Sequence, residues 1–216
     1  MTMLAVSTSP QNLSSGDSET ASLNRRAELL RMPWHIQLAL EGRVFTAGAG
    51  TITTPITFTS TTVVDVTLPD FLLRVPTGVV IVPLYAHIIY EATGGTLTEG
   101  VMSRTDTDPG NGTSSAADRL AVNLKTRGVN SSCTVRQLVT VTPTFINNTE
   151  FWRWGEPPDL DATVSGESGF TWDYQRNANV PYIIGPATLN IASGTGTSST
   201  GYITVVWAEF LTSEVQ

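Results

Sequence analysis

The sequence predicts an all-β chain folded as a two-sheet sandwich with Greek-key connections. Residues 78–91, GVVIVPLYAHIIYE, are the longest apolar run, and Val79, Val80, Ile81, Val82, Ile88 and Ile89 in it are β-branched. Short alternating apolar runs, punctuated by Gly, Pro and Asn, recur along most of the chain. Strand patterns do not alternate with helix patterns, and no repeat with a period of about 20–50 residues is visible, which excludes a parallel α/β sheet, a solenoid and a propeller.

The apolar run is too short and too interrupted for a membrane helix, which needs about 20 apolar residues. As a strand it would cross about 40 Å. Pro83 would break a helix and cannot donate a ladder hydrogen bond, so it is expected at a bulge or bend that divides one long strand. Both faces of the run are apolar, so both are expected to be covered.

The remaining elements follow in order. Residues 1–22 are a polar, Ser/Thr-rich arm without the apolar density to fold alone. Residues 23–32 predict a short helix, capped by Ser22 and stopped by Pro33. From residue 33 to residue 216 the chain is expected to form the sandwich. Trp34, Ile36, Leu38 and Leu40 alternate with His35, Gln37 and Ala39, the pattern of a half-buried strand. Residues 41–50 are a Gly-rich connection. Strands are expected over 51–59, 61–68, 71–75, 96–104, 120–124, 132–142, 145–154, 170–174, 180–184, 187–191 and 202–211. Long loops are expected at 105–117 and 155–169, and a hairpin tip at 193–201.

Charged residues are only 14% of the chain, against roughly 25% in an ordinary soluble domain. A surface poor in charge and rich in hydroxyls is weakly protected against association, which points to an assembly. The net charge of −7 argues against broad attraction to nucleic acid. Cys133 is the only cysteine, so no intrachain disulfide forms. Residues 1–10 lack a basic stretch and a long apolar core, so they do not read as a signal peptide. The sequons at Asn12, Asn111, Asn130 and Asn147 read as products of composition.

Catalytic chemistry finds little support, and no enzyme activity is expected. There is no GxSxG, HExxH, Walker or GxGxxG pattern. His35 and His87 read as hydrogen-bonded structural histidines and Cys133 as a buried thiol. Alternating carboxylates on a loop can ligate calcium through hard oxygens, which makes Asp106, Asp108, Asp159 and Asp161 the candidate metal ligands. Pro109 and Gly110 break the EF-hand spacing, so solvated turn residues are the first reading and no cofactor is expected beyond a structural calcium. The aromatic group Phe151, Trp152, Trp154, Trp172 and Tyr174 fits a stacking platform for a sugar or base, or packing in the core or against another subunit. Trp152, Trp154 and Trp172 are the interface candidates.

The polar arm, the short helix, the succession of strands with long loops and the apolar last strand together resemble viral jelly-roll capsid proteins. Residues 34–40 as first strand, 78–91 as central strand and 202–211 as closing strand carry the resemblance, which covers about residues 33–212. It implies a single jelly roll with an extended N-terminal arm, self-assembly into an icosahedral shell, partners that are copies of itself and other capsid proteins, and residence in a virion assembled in the host cytoplasm or nucleus. The arm departs from the arginine-rich arms of many small RNA-virus and circular-DNA-virus shells, since it has no Lys or Arg before Arg25. Direct electrostatic genome binding by the arm is therefore not expected. Single-jelly-roll capsid proteins of tailless, membrane-containing viruses suit that departure, and picornavirus-like shells also lack basic arms. No membrane insertion is expected. The alternative is a carbohydrate-binding sandwich or a viral spike or fibre head.

Overall fold

The computed structural model describes residues 33–59, 63–92, 98–108, 113–114, 118–140, 148–156, 168–177, 180–195 and 199–215. The arm, the helix expected over 23–32, Asp159 and Asp161 lie outside the described residues.

Among the described residues the first element is helix α1 (Trp34–Glu41), followed by β1 (Val44–Ala49), β2 (Ile56–Thr57), β3 (Phe71–Val75), β4 (Val79–Ala92) and β5 (Thr98–Thr105). A long excursion holds β6 (Thr113–Ser114), β7 (Val122–Asn123), β8 (Thr134–Gln137) and β9 (Val139–Thr140). Then come β10 (Thr149–Glu156), β11 (Ser168–Asp173), β12 (Ile183–Ile184), β13 (Ala187–Thr195), β14 (Thr200–Leu211) and a terminal 3-10 turn at Thr212–Glu214. Two main antiparallel sheets result. One has the order β11-β4-β14-β1-β7, with β12 beside β4 and β2 beside β14. The other has the order β10-β5-β13-β3-β8, and β6 pairs with β9 separately.

Eight of these strands pair in a nested pattern. The first, β1, pairs with the last, β14; β3 pairs with β13, β4 with β11 and β5 with β10. The chain is thus a ribbon doubled back between β5 and β10. Pairing of β4 with β14 and of β5 with β13 closes the two sheets. The excursion after β5 crosses to the far edge, where β7 joins β1 and β8 joins β3.

Pro83 sits where the sequence places an irregularity. Tyr85 pairs with Val206 and Pro83 with Trp207, so Leu84 is the extra residue of a bulge. On the other flank β11 reaches Tyr85 and β12 resumes at Ile81, which leaves Pro83 in the gap between them. Leu84 uses its free carbonyl to accept from the Tyr174 N–H at 3.1 Å.

The expected strand over 34–40 is a helix. Gln37, Leu38, Ala39, Leu40 and Glu41 are all good helix formers, and Gln37 donates to Glu41 one turn on. Gly42 ends the helix in the left-handed region at φ 77°, its N–H bonding Ala39 O while Arg43 N–H bonds Leu38 O. Alternation here reflects no buried sheet face: Leu38 and Ala39 pack on the outside of the first sheet against Val44, Leu84 and Ala208, while Trp34, Ile36 and Leu40 stay exposed. The first strand is instead β1, in the stretch the sequence reads as a connection; Gly48 and two alanines disguise it. Gly48 has a reason to lack a side chain, since a Cβ there would stand 2.7 Å from the Ile203 carbonyl oxygen. Of the strand expected over 61–68, the described residues 63–68 form turns instead, anchored by Asp65 Oδ1 accepting from Thr67 N–H at 2.8 Å.

The core lies between the sheets. Ala86, Ile88 and Tyr90 of β4 and Ile203, Val205 and Trp207 of β14 face Leu73, Met102, Leu189 and Ile191 of the other sheet. The second face of β4 is covered only in part: α1 lies over Leu84, whereas Tyr85, His87 and Ile89 are half-buried. Among the described residues no helix is long and apolar enough to cross a membrane.

Candidate assembly surface

The residues singled out for chemistry are mostly consumed by the fold. Trp172 is fully buried and Trp154 is 5% exposed, so both belong to the core and not to an interface or a stacking platform. Trp154 donates from Nε1 to the Tyr90 hydroxyl at 3.2 Å, and its ring stands against Gly100, where a Cβ would fall 2.0 Å away. Trp172 meets Phe151 edge-on at 5.8 Å. Trp152 is half-buried against Trp154, with ring centres 4.6 Å apart. The reason is register. Gly100 pairs with Trp154, and Ala86 pairs with Trp172, so each indole sits beside a residue too small to fill the space between the sheets.

The two described carboxylates of the candidate metal set are engaged by arginines. Asp108 takes a two-pronged bond from Arg74, with Nε at 2.8 Å, and Asp106 lies 3.7 Å from Arg104. The bond to Asp108 holds the Arg74 guanidinium above its ordinary range. Among the described residues no three His, Cys, Asp or Glu side chains gather to hold a metal ion. His35 Nδ1 shares a 2.7 Å hydrogen bond with the Tyr174 hydroxyl, and His87 Nδ1 shares one of 2.9 Å with Thr171 Oγ1. Cys133 is buried as a free thiol, and burial first, then Glu209, raises its pKa.

The site that sequence reasoning missed is structural. Asp70 is wholly buried; its Oδ1 accepts from Thr59 N–H at 2.8 Å and its Oδ2 from Ser193 N–H at 2.9 Å and from the Ser193 hydroxyl. Its backbone donates to Ile191 O and accepts from Leu138 N–H. One residue therefore ties the segment after β2, the break between β8 and β9, and strand β13 to the start of β3. A second clamp closes the chain's end. Arg43 forks onto Glu214 at 2.6 and 2.7 Å, lies 3.2 Å from Glu41 and stands 5.8 Å over the Phe210 ring. The bond from Arg43 holds the Glu214 carboxyl below its ordinary 4.5. A lowered folded pKa means stability present above the unfolded value and lost as the pH falls through the folded one. Glu214→Gln is expected to cost under about 1 kcal/mol at neutral pH, a partly screened surface pair. It should also flatten the acid limb of a melting-temperature profile below about pH 4.5.

Besides those along α1, exposed apolar side chains gather on two opposite edges. On the edge formed by β7, Leu120, Val122, Leu124 and Val129 are 73%, 49%, 52% and 83% exposed. On the opposite edge, beside β10 and β12, a groove of about 800 Å³ is lined by Phe151, Val180, Tyr182 and Ile184 together with Arg104, Asp106 and Glu150. The signal for the first patch is in the sequence, as apolar residues at 120, 122 and 124, but a strand pattern alone does not say whether that face is covered.

Comparison with known proteins finds no matching family model, no matching curated protein and no matching solved structure.

Proposed function

We propose that this chain is a structural shell protein of a virus, a single jelly roll whose activity is assembly with copies of itself and with other shell proteins. The nested strand pairing carries the reading. Eight strands doubled into a ribbon and wrapped into two sheets match the jelly-roll plan, which serves viral capsids as well as lectins and cupins.

The surface favours the capsid use over the other two. Trp154 and Trp172 are closed to a sugar face, and Asp106, Asp108 and both histidines are engaged within the fold. Exposed apolar side chains stand instead on both edges and along α1, where Trp34, Ile36 and Leu40 are 45%, 43% and 59% exposed. With only 14% charged residues to oppose association, burial of these patches would drive assembly. Obligate interfaces of this kind bury about 2,000 Å² or more.

Light scattering and electron microscopy of the purified chain test the reading. Closed particles or regular sheets are expected on raising concentration or salt. A chain that stays monomeric at every salt and pH refutes it.

A further inference from the structure

We propose that the pocket between the 63–68 turn and the outer face of the second sheet binds a small neutral carboxamide, and that the buried side chain of Asn190 reads its amide edge.

Asn190 lies on β13 and is 1% exposed, yet neither its Oδ1 nor its Nδ2 has a hydrogen-bond partner. A buried amide with donor and acceptor both unmet is costly, and in native proteins such a group is completed by water, an ion or a ligand. Its neighbours on the same face differ: the Thr105 and Thr188 hydroxyls bond each other at 2.7 Å. Leu189 and Ile191 belong to the core between the sheets, so Asn190 between them points to the outer face. Its cross-strand partners there are Ser103 of β5 on one side and Leu72 of β3 on the other.

Those partners put the amide at the back of a pocket of about 360 Å³. Ser103 and Val101 form its floor, and Val63, Val64 and Val66 of the turn form one wall. The turn is held in place: Val66 packs on Leu72 and Val139, and a Cβ on Gly194 would stand 2.5 Å from the Val64 nitrogen. Cross-strand partners hold their Cβ atoms about 5 Å apart, so a rotation of the Asn190 side chain brings its amide within reach of a ligand resting on Ser103. The volume falls in the range of small-molecule sites, about 300–1,000 Å³.

The surroundings narrow the ligand. A side-chain amide offers a donor beside an acceptor, and another amide edge matches both. A bare anion or cation would match only one of the two. Anions are disfavoured further, because the Arg153 guanidinium at the pocket is forked onto Glu150. Glu99, also at the pocket, has no ion-pair partner among the described residues and adds an uncompensated negative charge. The valines suit a compact apolar body.

The probe is δ-valerolactam, with cyclohexanone, a ring of the same size without the N–H, as control. Urea midpoints of the full chain are read against the concentration of each. A ligand that binds only the folded state raises the midpoint, and the lactam is expected to act at a concentration about tenfold or more below that of the ketone. Asn190→Leu removes the amide and keeps the bulk. It should melt at or above wild type, because an apolar group then replaces a buried polar one without partners, and it should respond alike to lactam and ketone. Val64→Phe narrows the pocket from the turn and should weaken the lactam response with Asn190 still in place. A wild-type chain that responds no better to lactam than to ketone overturns the proposal, water being the pocket's only occupant. So does an Asn190→Leu chain that loses stability, which marks an asparagine already bonded. Each of these results leaves the shell reading untouched.

Discussion

Replacing Gly201 by valine is expected to leave the chain unable to hold its native fold. Gly201 opens the paired core of β14, at a shift in register where Thr200 faces Ala92 and Gly201 faces Tyr90. A Cβ built there lies 1.9 Å from the Ile89 carbonyl oxygen and 2.9 Å from the Phe58 ring. The ring could turn aside. The carbonyl belongs to β4, held between β11 and β14, and cannot retreat without breaking both ladders. Overpacking a core commonly costs about 1–3 kcal/mol, and a clash against fixed backbone belongs above that range. Set against a typical stability of about 5–15 kcal/mol, the loss should bring most of the chain into the insoluble fraction or lower the urea midpoint sharply. A Gly201→Ala variant with a wild-type midpoint would show that this close approach does not constrain the fold.

Asp70→Ala is expected to have the next largest effect. It strips acceptors from the buried N–H and hydroxyl of Ser193 and from the half-buried N–H of Thr59. An orphaned buried donor costs about 1–3 kcal/mol, so the Ser193 N–H alone predicts a loss in that range, to which the Ser193 hydroxyl and the half-buried Thr59 N–H add. Asp70→Asn keeps one amide oxygen but turns an NH2 toward the other donor, and should fall between wild type and alanine. Burial pushes the Asp70 carboxyl above its ordinary 3.8, while the bonds from Ser193 and Thr59 pull the other way. With the folded pKa raised, the folded state holds its proton to higher pH than the unfolded one, so this site's contribution is full below 3.8 and erodes as the pH rises through the folded pKa. The asparagine variant should lack that slope. Urea midpoints of the three chains across the acid range read both effects, and coincident curves would remove Asp70 from the account.

The elements legible in the sequence are those where composition and tertiary demand agree. The long β-branched run became β4 over Val79–Ala92, with its bulge beside Pro83, because no other conformation suits those side chains and a proline cannot join an unbroken ladder. The apolar closing strand became β14 over Thr200–Leu211 for the same reason. The misreadings fall where local pattern and environment part company. Trp34, Ile36, Leu38 and Leu40 alternate like a strand, yet no neighbouring strand takes the segment up, and its helix-favouring residues decide. Residues 44–49, VFTAGA, lack the bulk expected of a first strand; the tight approach of β14 requires that smallness. The tryptophans look like a displayed platform in one dimension, and only cross-strand register shows that Gly100 and Ala86 make room for them inside.

By itself the sequence determined a β-rich chain with one long central strand, few charges and no assembled catalytic motif, since β-branching, proline and charge content act through local chemistry that needs no partner. Tertiary structure alone decided which strands are neighbours, that Asp70 is an internal clamp, and that exposed apolar side chains stand along α1, on the β7 edge and in the groove beside β10 and β12. Those facts depend on pairing between residues as far apart as Val44 and Ala208, and no local pattern encodes a contact across such a separation.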